Sequence, residues 1–144
     1  MSRTQRRIRR VAGVLAVLAA VLIPAASASA APTARADVDD FEIASFDAVY
    51  TLGRDGEGFA TLDVVETIVA VFPDIDQNKG FYRDIPEYYG NVQLHTAVLS
   101  VTDDDGDAVP YFTEYYEDFY SIGLGDDSYV HGEQTYVIHY EQRN

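Results

Sequence analysis

From Phe46 to Tyr140 the apolar residues of this chain fall mostly on alternate positions, and no stretch of that region sustains the 3.6-residue period of an amphipathic helix. Phe46, Ala48, Tyr50 and Leu52 alternate up to a turn at Arg54-Asp55-Gly56. Leu62, Val64, Ile68, Ala70 and Phe72 then continue on one face, with Val65, Val69 and Val71 on the other. The pair predicts a β-hairpin whose second strand is covered on both sides near its end. Pro73 to Gly80 is polar and turn-rich. Val92, Leu94 and Val98 begin a strand expected to run to about Val101, and Asp103 to Asp107 is a turn with Asp-Gly inside it. Val109 to Tyr116 and Phe119 to Leu124 are short aromatic strands, and a loop at Gly125-Asp126-Asp127-Ser128 follows. Gln134 to Glu141 is the last, with Tyr136, Ile138 and Tyr140 on one face. Strands at this spacing predict an all-β fold, an antiparallel β-sandwich of immunoglobulin-like type. Gln142-Arg143-Asn144 carries no turn signal after the last strand, so the sandwich is expected to be incomplete at its C-terminus.

The first thirty residues follow a different rule. Arg3, Arg6, Arg7, Arg9 and Arg10 precede an apolar run from Val11 to Ile23, Pro24 breaks it, and small residues fill Ala25 to Ala31. That layout is a secretory signal peptide, with cleavage sites at Ala28-Ser29-Ala30 or Ala34-Arg35-Ala36. The run falls short of the roughly 18 residues that a spanning helix needs; the alternative is an uncleaved anchor. The expected organisation is a signal peptide over 1–30, a short linker over 31–40 and an acidic β-sandwich domain over 41–144. The protein is expected to be exported, to the extracytoplasmic side of the cell membrane or beyond it. With no cysteine, disulfides and thiolate metal sites are excluded, so the domain depends on its core.

Charge divides at the same place. From residue 37 onward the only basic residues are Arg54, Lys79, Arg83 and Arg143, against all 24 acidic ones, a formal −20. Such a surface repels nucleic acid and anionic lipid headgroups and suits cationic partners. All seven phenylalanines and eleven tyrosines lie in this part, which argues for a packed domain rather than an acidic tail.

Gly80-Phe81-Tyr82-Arg83-Asp84-Ile85-Pro86 is the segment with most chemical character. Arg83 is expected to fork onto a carboxylate and fix a loop against the sheet. The functional reading makes that loop a partner-binding site with Phe81, Tyr82 and Arg83 as its anchors. Asp103, Asp105 and Asp107 are a weak metal alternative. Gly106 stands two positions early for a calcium loop, and Pro110 with strand-type residues replaces the second helix. Asp74, Asp76 and Asn78 imitate half of such a loop, but Ile85 occupies the position of its bidentate acid. His95, His131 and His139 have no metal-ligand spacing. No nucleophile elbow and no glycine-rich phosphate loop is present, so no catalytic residue and no cofactor is expected. Tyr111, Phe112, Tyr115, Tyr116, Phe119 and Tyr120 would suit stacking on sugar rings, though strand alternation must turn half of them inward.

Gly80 to Pro86, together with Gly132-Glu133-Gln134-Thr135-Tyr136-Val137-Ile138-His139-Tyr140, resembles the N-terminal domain of the DUF2207 family of predicted bacterial membrane proteins. The hairpin with its Asp-Gly turn and Val65-Glu66-Thr67-Ile68 fits too, so the likeness spans about Phe41 to Tyr140. The resemblance implies a signal peptide, an extracytoplasmic β-rich domain and downstream transmembrane helices, with no established activity. The expected function is therefore non-enzymatic: assembly or interaction at the cell surface, with an unknown protein partner or with the membrane region of its own family architecture. Membrane association would come through downstream helices or an uncleaved N-terminal segment. The alternative is a secreted binding module for a cell-wall glycan or a cation.

Overall fold

A computed structural model describes Asp37 and residues 40–144. The expected signal peptide, its cleavage sites and most of the 31–40 linker lie outside the described residues.

The fold is an antiparallel β-sandwich. β1 (Glu42–Arg54) and β2 (Ala60–Phe72) form the hairpin, and β9 (Gly132–Arg143) and β6 (Ala97–Thr102) complete a four-stranded sheet in the order β1-β2-β9-β6. β3 (Phe81–Pro86), β8 (Phe119–Leu124) and β7 (Tyr111–Tyr116) make a three-stranded sheet in the order β3-β8-β7. β4 (Tyr88–Tyr89) and β5 (Val92–Gln93) are a two-stranded clip between them in sequence. Four strands over three is the layering of a constant-type immunoglobulin domain. The order is a variant of it: β9, rather than the fifth long strand, lies between β2 and β6, and β7 takes the outer place beside β8.

Each inner face supplies one row of a shared core. Val64, Ile68, Ala70 and Phe72 from β2, Tyr136, Ile138 and Tyr140 from β9 and Val101 from β6 meet Ile85, Ile122 and Leu124 of the smaller sheet. The alternation expected for β2 is therefore correct on that face. The expected second covering is not: Val65 and Val69 are half-buried and Val71 is exposed, because among the described residues no layer covers the outer face there.

Two further expectations are corrected. Phe81–Pro86 is not a loop but a strand, running Phe81 opposite Leu124 to Pro86 opposite Phe119. The strand expected from Val92 to Val101 breaks at Leu94–Thr96. The Leu94 and Thr96 amides donate to the backbone carbonyl and the carboxylate of Glu87, and His95 takes a positive φ of 44°. The smaller sheet is anchored at one end by a contact of two glycines. A Cβ on Gly80 would lie 1.6 Å from the Leu124 carbonyl oxygen, and one on Gly125 2.0 Å from that of Lys79. Both have positive φ, so only glycine serves at either place.

Candidate interaction surface

β3 alternates as any strand does, so its three candidate residues do not share a face. Arg83 points into the sandwich. Its Nε and Nη2 donate to the two oxygens of Glu66, at 2.8 and 2.7 Å, and Nη1 donates to the Asp84 carbonyl. The expected fork is therefore present, but what it ties to the opposite sheet is a strand, β3, rather than a loop. Glu66 has no exposed surface, and the Tyr140 hydroxyl also donates to it at 3.0 Å. A buried carboxylate is tolerated only when paired and hydrogen-bonded, and here all three donors converge on it. The Glu66 hydrogen bonds raise the Arg83 pKa further, and burial drives the Tyr140 phenol far above its usual value. The same burial pushes the Tyr136 phenol up to about 12. All three groups keep their charge state throughout the physiological range.

Glu66 lies on β2 and Arg83 on β3, so the pair clamps the edge of the smaller sheet over β2. Phe81, also inward, stacks on Phe41 at 5.6 Å between centroids and meets Tyr136 edge-on at 5.2 Å. Tyr82 points outward and is exposed. Side by side on an edge strand, the three residues line one wall of a cleft of about 450 Å³ whose other wall is Phe41, Ile43 and Phe46, with Ile68 at its floor. The Arg83 guanidinium sits 5.7 Å from the centre of the Phe46 ring. A second cleft, of about 820 Å³, adjoins it near Gly80 and Gly125 and shares Phe41, Phe81 and Tyr82. Among the described residues the buried Gln77 Oε1, in that cleft's wall, has no hydrogen-bond partner.

What sequence reasoning missed is the state of β1. Phe46, Ala48, Tyr50 and Leu52 stand opposite Ile68, Glu66, Val64 and Leu62, so they belong to the inner face. Yet Ile43, Phe46, Tyr50 and Leu52 are 44, 48, 58 and 82% exposed. The smaller sheet is one strand too narrow to cover them.

The aromatic group divides as strand alternation requires. Phe112, Tyr116 and Phe119 take the outer face with Tyr82, while Tyr111, Tyr115 and Tyr120 face inward. Phe112 lies across Gly123, where a Cβ would meet its ring at 2.4 Å, and Tyr82 meets it edge-on at 5.7 Å. Tyr111 and Tyr115 remain exposed although they face inward, because β7 is an edge. Partial desolvation and the nearby Glu87 raise the Tyr115 pKa.

Of the aspartates considered for a metal, Asp103 is committed to a turn. Asp103 accepts the amides of Asp105 and Asp107 on one carboxylate oxygen, at 3.0 and 2.8 Å, which shapes the tip between β6 and Ala108. Among the described residues no group of three or more histidine, cysteine, aspartate or glutamate side chains converges on a metal position. His131 pairs with Asp76 at 3.0 Å and His139 with Asp63 at 2.8 Å, at separate points of the surface. Among the described residues no helix is long and apolar enough to cross a membrane. No family model matches the chain, and no curated protein and no solved structure matches it.

Proposed function

We propose that this chain is a non-enzymatic extracytoplasmic β-domain that assembles with a protein partner at the cell surface, as its resemblance to the DUF2207 family implies. The carrying observation is the uncovered apolar row of β1 beside the cleft walled by β3. Contiguous exposed apolar surface on a folded domain marks an interaction site. The Glu66–Arg83 clamp fixes that site on strands, which favours a preformed surface over an adaptable loop. The −20 charge of the domain argues against nucleic acid and anionic membrane as ligands. Membrane attachment belongs to the family's downstream helices or to an uncleaved N-terminal segment.

Native electrophoresis of the envelope fraction of the host tests this reading. The chain is expected in a complex heavier than a monomer, and Tyr50→Ser/Leu52→Ser should release it as a monomer. An unchanged complex refutes the reading. A second reading, a module for a cell-wall glycan, is favoured by the outward Phe112 ring seated on Gly123 beside Tyr82. Retention on insoluble wall polysaccharide that Phe112→Ala abolishes and Tyr50→Ser/Leu52→Ser leaves intact would select it instead.

A further inference from the structure

The geometry points to strand addition: an extended, basic segment of a partner protein pairs with the free edge of β3 and lies over β1 as a fourth strand of the smaller sheet. This rests on the interaction reading above and states how the partner is held.

β3 has one ladder, to β8, and among the described residues no strand pairs with its other edge; the Asp84 carbonyl accepts there from Arg83 Nη1 and the Pro86 carbonyl from Gln142 Nε2, which leaves the Tyr82 N–H and C=O and the Asp84 N–H for an added strand. Arg83 meets Glu66 across the sandwich, so β3 sits over β2, and β1 lies one strand farther out. Strands in a sheet are about 4.8 Å apart and packed sheets about 10 Å. A strand hydrogen-bonded to β3 therefore falls directly over the inner face of β1. Phe46, Tyr50 and Leu52 recur there at every second or fourth position, which suits the alternate side chains of an incoming strand. Phe41 and Phe81 stack at one end and set its depth.

The edge of β1 itself is the poorer template. Its pairing with β2 is interrupted by a bulge between Ile43 and Ser45, a feature that natural edges use against further pairing. A strand added there would also leave the inner row of β1 bare. β3 has no bulge, and its proline, Pro86, stands at the last position.

Charge selects the partner. The domain carries four basic residues against 24 acidic ones, and Arg83, the basic residue beside the groove, is already committed to Glu66. Asp84 projects from the outer face of β3, next to where the outward side chains of an added strand would lie. The matching segment alternates apolar residues, facing β1, with lysine or arginine facing out. A second copy brings another strongly acidic domain and is repelled.

The test uses the full chain and a synthetic peptide alternating valine and lysine, long enough to span the six residues of β3. Expected are saturable binding, new hydrogen-exchange protection of β3 amides, and a Kd about tenfold weaker after N-methylation of alternate backbone amides. Tyr50→Ser/Leu52→Ser should weaken binding by a similar factor, while Val49→Ser, on the outer face of β1, should not. All three residues are well exposed, so these variants fold. Equal binding of the N-methylated peptide would show charge adsorption alone and overturn the proposal. Protection of β3 amides without peptide would show that the chain fills the groove itself, or that a second copy does if the chain then sediments as a dimer, and either result overturns it too. Failure of the peptide while Tyr50→Ser/Leu52→Ser still dissolves the envelope complex removes strand addition and leaves the interaction reading standing.

Discussion

Glu66 and Glu87 are both without exposed surface, and they are held in opposite ways. Glu66, in the middle of β2, receives a two-pronged arginine and a tyrosine hydroxyl. Glu87, just past β3, receives the Gln93 side-chain amide and the Thr96 backbone amide, each at 3.2 Å, and no cation among the described residues. The first carboxylate joins two sheets by charge. The second organises an irregular crossover, where the Glu87 amide donates to the Asp118 carbonyl and its own carbonyl accepts from Leu94. A buried acid in this domain thus does one of two jobs, and the donors around it tell which.

Removing the cation separates the two most sharply. Arg83→Ala leaves Glu66 as an uncompensated buried charge, and about 3–5 kcal/mol of stability should be lost. A thermal melt should fall by more than about 10 °C. Arg83→Lys keeps the charge but not the fork, so an intermediate loss is expected, and a melt equal to the wild type would show that the planar geometry is irrelevant. Glu87→Gln should cost no more than about 1 kcal/mol, since the amide oxygen still accepts from the Thr96 N–H. A loss as large as that of Arg83→Ala would mean that Glu87 has a charge partner, and the contrast would collapse.

The smallest effect concerns a third acid, near the surface. Partial burial pushes the Asp55 carboxyl up, but Arg143 and the Phe59 and Glu57 amides outweigh this and hold its pKa below the ordinary 3.8. A carboxyl lowered on folding contributes above its unfolded pKa and loses that contribution as pH falls through the folded value. Hydrogen exchange at Glu57 and Phe59 should therefore quicken relative to intrinsic rates only below about pH 3.8, with the Glu66 region unaffected. Simultaneous loosening of both regions would show that the hairpin tip and the core open as one unit.

The hairpin was legible because Arg54-Asp55-Gly56 separates two runs of clear alternation, and the observed strands simply extend them. β3 was not, because its six residues place Arg83 inward and Tyr82 outward and so resemble neither a buried nor an amphipathic strand. The break at Leu94–Thr96 was hidden for another reason. Its local sequence suits a strand, but Glu87 captures the two amides that the strand would need. At the site, Arg83 announced a carboxylate partner, while Glu66 had to be found among 24 acids. Its place between Val64 and Ile68 was the available clue, since alternation there points all three inward. The bare row of β1 left no local trace at all. Alternation tells which way a side chain faces, and only the width of the opposing sheet decides whether anything covers it.

The position of β9 also sets a timetable. Ribosomes deliver the chain from its N-terminus, and β1 and β2 can join as soon as the hairpin is out. β6 then has no neighbour in its sheet until Gly132–Arg143 arrives, because β9 is the strand that bridges it to β2. Thr61 lies opposite Arg143, at the far end of the sequence from the hairpin turn. The Tyr140 hydroxyl on Glu66 arrives equally late, so the Glu66–Arg83 pair lacks its third partner until then. Assembly of the core is thus gated by one closing event of high sequence separation, a slow class of step. Until it occurs, a nascent chain carries the apolar row of β2 open to whatever accompanies it.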